Sequence, residues 1–131
     1  MLFLLLPLLS SAQEAPTSCL LTGGYGSSGL LSSLEVVGPG LPCTPPPLPS
    51  PLKRHTALLT QDLLVLVCGG KGADNQYSQA CLVLEAGTWR LHSSLLHQRE
   101  YSTGVTLPSG SYLLGGSGSA QTSIEWLPTG H

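Results

Sequence analysis

Charge is scarce in this chain. Of its 131 residues only five are lysine or arginine and seven aspartate or glutamate, for a net charge of −2. Long-range steering toward phosphate has almost nothing to act on, and the one pair of neighbouring cations is Lys53-Arg54, so nucleic acid is excluded as a partner. Aromatic residues are also few, at 5%. No stretch of helical length carries apolar periodicity with a cap; LHSSLLHQRE at 91–100 comes nearest. No apolar run reaches the length of a membrane-spanning helix, which removes a helical membrane protein from consideration.

What is abundant is glycine and short apolar runs, and they fall on a grid. Gly23-Gly24 in LLTGG, Gly69-Gly70 in LVCGG and Gly115-Gly116 in YLLGG each close an apolar run and stand 46 residues apart. At the same offset Lys53 aligns with Arg99, His55-Thr56 with Tyr101-Ser102, and Leu66 with Tyr112. A repeat of this length means that each unit cannot bury its apolar face alone and must stack on its neighbours. The runs are bounded by Gly, Asp, Asn and Ser and lack strict polar alternation, as expected of strands covered on both faces.

Within the middle unit a lead-in KRHTALL is followed by LLVLVCGG, a polar loop KGADNQYSQ, a second apolar run ACLVLEAG, and Trp89 after Gly87-Thr88. That order resembles a kelch repeat, over roughly residues 19–127. The features that match are the diglycine closing the second strand, the Trp in GTW about twenty residues on, and the HT (His55-Thr56) and R-x-x-S (Arg99 to Ser102) elements that open the units. The resemblance implies an all-β fold, a partial kelch-type β-propeller of about two and a half to three four-stranded antiparallel blades.

On this grid residues 19–52 form a first blade lacking its first strand, with strands near 19–22, 31–37 and 41–49. Residues 53–98 form a complete second blade. Residues 99–131 form a third that stops after its third strand at 122–127. Both ends of the chain fall inside a unit, and a propeller closes only at about four blades or more. The expectation is therefore a piece of a larger propeller, or a chain that associates with further blades or other chains to close a ring. The diglycines Gly23, Gly24, Gly69, Gly70, Gly115 and Gly116 are structural, because glycine alone enters positive φ cheaply and lets neighbouring chains approach. The proline-rich segment PGLPCTPPPLPSP at 39–51 falls at the outer edge of the first blade and its connection to the second, where no ladder donor is lost.

Residues 1–12, MLFLLLPLLSSA, pair a short apolar run with Ser10 and Ala12 at the −3 and −1 positions of a secretory cleavage site, although only the α-amino group precedes the run as a cation. The alternative is a strand of a truncated first unit. A cleaved leader implies a secreted, extracellular product, and Cys19, Cys43, Cys68 and Cys81 agree with that compartment as an even set that reads as disulfides. Cys68 ends the second strand of the middle unit and Cys81 begins the third, which favours Cys68–Cys81 and leaves Cys19–Cys43 as the complement. No close pair of cysteines at zinc-site spacing is present, so no metal is expected there.

Loops carry function on rigid scaffolds. Strand alternation places the turn at 70–78 beside the connections between blades, a face holding Lys71, Asp74, Asn75, Gln76, Tyr77, His97 and Arg99. This is the densest polar set in the chain and the candidate binding surface. Catalysis has little support. The resemblance extends to galactose oxidase, a copper enzyme that needs converging His and Tyr ligands, but here His55, His92, His97 and His131 and Tyr25, Tyr77, Tyr101 and Tyr112 are scattered, with His55 and Tyr101 as repeat-equivalent packing positions. The expected function is a secreted kelch-repeat interaction module for a protein or glycan partner, without catalytic residues or cofactor. The alternative is an extracellular copper-radical or carbohydrate-active oxidase whose active-site blades are absent here.

Overall fold

The structure, a computed structural model, describes residues 2–6, 18–37, 45–118 and 122–128, with side chains from residue 20 onward. Its strands are β1 (Leu2–Leu6), β2 (Ser18–Gly26), β3 (Gly29–Val37), β4 (Thr56–Leu59), β5 (Val65–Cys68), β6 (Ala80–Glu85), β7 (Thr88–Ser94), β8 (Arg99–Glu100), β9 (Thr103–Leu107), β10 (Gly110–Leu114), β11 (Ser117–Gly118) and β12 (Ile124–Pro128). All pairings are antiparallel, and the described residues contain no helix.

The middle unit forms a complete four-stranded sheet in the order β4-β5-β6-β7. On one side lies the sheet β1-β2-β3, and on the other β9, β10 and β12, in the order β12-β10-β9. The result is all-β, in the arrangement of a partial β-propeller. In the first blade the strand that the 46-residue grid leaves missing is supplied by Leu2–Leu6, which pairs with β2 from Leu2 opposite Thr22 to Leu6 opposite Ser18. Its fourth strand is not formed over 45–49; instead the chain runs alongside β3 with Leu48 N donating to Ser32 O at 2.7 Å. Leu48 is buried, and Trp89 Nε1 donates to Pro46 O at 3.1 Å, so the described part of the proline-rich segment, residues 45–51, serves as a blade edge.

Two apolar seams hold the blades together. Leu20 and Leu34 of the first blade meet Leu48, Leu52 and Val67, with Trp89 against their margin. On the other side of the middle blade Leu58, Leu66, Cys68, Cys81 and Val83 meet Leu95, Leu113 and Leu127. Full burial of one such aliphatic side chain stabilises by about 1.5–3 kcal/mol. Gly104 lets the second seam close: a Cβ there would stand 2.5 Å from Leu58 Cδ2.

The strand registers correct the grid by one residue. Thr56 pairs with Cys68, and Thr103 pairs with Leu114. Cys68 and Leu114 are 46 residues apart, but Thr56 and Thr103 are 47 apart. The structural counterpart of His55 is therefore Ser102, not Tyr101, and a one-residue slip turns a side chain to the other face of a strand. His55 is 6% exposed while Tyr101 is 64% exposed, so Tyr101 is not the packing position that sequence alignment assigns to it.

Candidate binding rim

The middle diglycine ends β5 with φ of 70° and 86° at Gly69 and Gly70, and a Cβ on Gly70 would approach Lys53 O to 2.6 Å. That close approach pins the lead-in to the middle blade against the turn at 70–78. Lys53 and Lys71 exchange backbone hydrogen bonds at 3.0 and 2.9 Å. The turn itself is tight: Asp74 Oδ1 accepts from Gln76 N at 3.0 Å, Gly72 N donates to Gln76 O at 3.0 Å, and Asn75 takes φ of 62°. Asp74, Asn75 and Gln76 are exposed at its tip.

Along this rim each cation lies over a ring. The Lys71 ammonium is 4.6 Å from the Tyr77 ring centroid, the Arg54 guanidinium 5.0 Å from that of Tyr101, and the Lys53 ammonium 5.9 Å from that of Tyr25. Such contacts stabilise by about 0.5–1 kcal/mol at exposed sites and orient flexible stems. Arg54 also donates to Glu100 Oε2 at 3.2 Å, and this hydrogen bond is the main cause that raises its pKa above the ordinary value. A cleft of about 410 Å³ opens among Gly24, Tyr25, Lys53 and Arg54. Three of the five basic residues of an otherwise acidic chain thus lie on one rim.

The seven residues that the sequence groups on this face separate in the structure. Lys71 and Tyr77 come together, and Asp74, Asn75 and Gln76 form the adjoining turn. His97 is half-buried on the connection between β7 and β8, with its backbone N donating to Glu125 Oε2 at 3.3 Å. Arg99 does not belong to the surface. It is fully buried, with Nε donating to Glu125 Oε2 at 2.7 Å, Nη1 to Gly115 O at 2.8 Å and Ser123 O at 3.1 Å, and Nη2 to Ser123 Oγ at 2.7 Å. The guanidinium satisfies carbonyls where the third blade has lost regular pairing, which a planar fork of donors does well.

Tyr25, Lys53, Arg54 and Tyr101 are the rim residues that the loop-based reading missed. One signal was available: Tyr25 follows Gly23-Gly24 by one residue, as Lys71 follows Gly69-Gly70. The histidines are placed apart. His55 is buried with Nε2 at 2.7 Å from Thr22 Oγ1, while His92 lies on β7 with Nδ1 at 3.1 Å from Ser93 Oγ. Burial lowers the His55 pKa to about 4, and its Nδ1 has no hydrogen-bond partner among the described residues. No group of three His, Cys, Asp or Glu side chains suited to a metal ion occurs among the described residues. No helix among them is long and apolar enough to cross a membrane.

The Cys68–Cys81 disulfide is present, joining directly opposed residues of β5 and β6 with 4.1 Å between Cα atoms. The Cys19–Cys43 pairing lies outside the described residues, as does His131.

No family model matches the chain, and no curated protein matches it. Solved structures do match in fold. The one described as "Structure of YjhT" superposes with a TM-score of 0.53 over 85% of this chain at 13% identity. The chain spans 39% of that protein's length.

Proposed function

We propose that the chain is a secreted kelch-repeat interaction module, without chemistry of its own, whose rim takes an acidic group of a protein or glycan partner. The observation that carries this reading is the row of three cation–tyrosine pairs beside the cleft at Tyr25, Lys53 and Arg54. Rings presented beside fixed cations suit a ligand with a flat or apolar face and a carboxylate or sulfate. The kelch-like order of the repeat supports the scaffold; a leader cleaved after Ala12 would remove β1, so secretion is proposed on the disulfide alone, which agrees with an oxidising compartment.

A glycan is favoured over an extended peptide. The backbone donors of the rim are already engaged: Gly24 N to Leu52 O, Lys53 N to Lys71 O, Lys71 N to Lys53 O and Tyr101 N to Arg54 O. Among the described residues, these donors are therefore not free to pair with an extended peptide. The test is an NMR titration with a sulfated heparin hexasaccharide, an oligogalacturonate, a polyglutamate peptide and neutral chitohexaose. The acidic saccharides should shift Tyr25, Lys53, Arg54 and Tyr101, less at high salt and not in the double variant Lys53→Gln/Arg54→Gln. Absence of any response to acidic probes, or an undiminished response in the double variant, overturns the reading.

A further inference from the structure

The junction between the middle and third blades repeats the junction that holds the cleft. Gly24 N donates to Leu52 O at 2.8 Å and Gly70 N to Arg99 O at 2.7 Å, so Leu52 and Arg99 are equivalent positions. Tyr25 therefore corresponds to Lys71, Lys53 to Glu100 and Arg54 to Tyr101. The chain turns back after each diglycine in the same way: Tyr25 pairs with Leu30, and Lys71 with Tyr77. Tyr77 thus stands where the first blade has Leu30.

At the second junction that residue fills the site. The Tyr77 ring lies 4.6 Å from the Lys71 ammonium, and its hydroxyl donates to Glu100 Oε1 at 3.5 Å. It reaches the third blade, where a Cβ on Gly118 would stand 3.6 Å from Tyr77 Cε1. A six-membered ring with a polar group across it spans the two blades. At the first junction Leu30 brings neither ring nor hydroxyl, and a cleft of about 410 Å³ lies against Tyr25, Lys53 and Arg54. The groups that face the two sites differ in step. Where Lys71 offers a cation to a ring, Tyr25 offers a ring face; where Glu100 accepts from a hydroxyl, Lys53 offers an ammonium, which suits an anion.

We infer that the open cleft takes what Tyr77 supplies to its counterpart, a single six-membered ring, here a pyranose with one carboxylate, lying on Tyr25 with the carboxylate at Lys53. This rests on the reading of the rim as a site for an acidic glycan and narrows it to one uronate residue. Tyr25 is 72% exposed. Such an open shelf presents the negative face of its ring to the C–H face of a sugar, whereas an aryl group there would be left half in water. One charge suffices, because Arg54 is already tied to Glu100 and, among the described residues, Lys53 has no carboxylate partner. The cleft is near the small end of ligand sites, which run from roughly 300 to 1,000 Å³, and accommodates one ring rather than a chain.

NMR titration of the whole chain with methyl β-glucuronide, methyl β-glucoside, acetate and p-cresyl sulfate tests this. The glucuronide should shift Tyr25 and Lys53 and bind about tenfold or more tighter than the glucoside or acetate. Tyr25→Ala should weaken it by up to about tenfold. Leu30→Tyr, which builds the occupant of the second junction into the first, should abolish it; the amide spectrum of each variant shows that it folds. If the heparin hexasaccharide shifts Lys53 and the glucuronide does not, this inference falls and the acidic-rim reading stands. If no acidic saccharide shifts it, both fall. Equal binding of acetate or the glucoside, tighter binding of p-cresyl sulfate, or undiminished binding by folded Tyr25→Ala and Leu30→Tyr also overturns the inference.

Discussion

Arg54 and Tyr101 occupy the same structural position in successive blades. Each has φ of 58°, each stands two residues before a threonine that opens the first strand of its blade, Tyr101 N donates to Arg54 O at 3.0 Å, and the guanidinium lies 5.0 Å over the ring. Left-handed backbone at a bulky residue costs about 1–2 kcal/mol. It is held twice because both lead-ins are clamped by backbone bonds, and it turns both side chains outward onto the rim.

That strain can be measured at one site. Tyr101→Ala and Tyr101→Gly both delete the ring and its contact with Arg54, but only glycine relieves the backbone. Urea unfolding should find Tyr101→Gly more stable than Tyr101→Ala by up to about 1 kcal/mol. Equal stabilities would mean that the positive φ carries no strain.

His55 makes folding sensitive to acid. Burial favours its neutral form, with a pKa lowered from 6.5 to about 4. Above pH 6.5 neither state takes the proton and the full stability is present. As pH falls from 6.5 toward 4 the unfolded chain is protonated first, and up to about 3 kcal/mol is lost. Thermal melts at stepwise pH should show wild type losing stability over this window relative to His55→Gln. Parallel curves for the two proteins would assign the loss elsewhere.

The buried Arg99–Glu125 pair should be sensitive to removal of one partner. Arg99→Met leaves a desolvated carboxylate and costs about 3–5 kcal/mol. Arg99→Lys recovers little, because one ammonium cannot reach Gly115, Ser123 and Glu125 together. The double variant Arg99→Met/Glu125→Met should lose less than the sum of the single changes. It still falls short of wild type, since the N–H groups of Leu96 and His97 lose Glu125 as acceptor. A denaturant double-mutant cycle reads all three.

The Cys68–Cys81 bond closes a short loop, with a sequence separation of 13. Replacing both cysteines by alanine should cost about 2–4 kcal/mol. Both are buried, so reductant should act only at denaturant concentrations that open the middle blade. Thiol labelling across a urea series follows this; full labelling without urea contradicts it.

How far the sequence carried the fold can be traced residue by residue. The diglycines placed β5 and β10 correctly because each must close a strand, and the opposition of Cys68 and Cys81 followed from that. The first strands leave the grid by one residue because the segment from Cys68 to its partner Cys81 is one residue longer than that from Thr22 to its partner Leu34, and periodicity cannot see where an added residue is absorbed. Arg99 reads as a surface charge in the sequence because its four acceptors, contributed by residues 16 to 26 positions away, exist only after folding. Tyr101 reads as a packing residue for the opposite reason: aromatic residues at a repeat position are ordinarily assigned to a core, and here a φ of 58° turns the side chain outward.

The unequal spacing of the strands also bears on how such a chain tolerates change. Equivalent residues are 46 apart in the second strands (Cys68 and Leu114), 47 in the first (Thr56 and Thr103) and 43 in the third (Cys81 and Ile124). Each strand takes its alignment from the partner it bonds, so a residue gained or lost in a turn is forgotten by the next ladder. Drift in length stays local, and copies of the unit can diverge in their loops without disturbing how they stack.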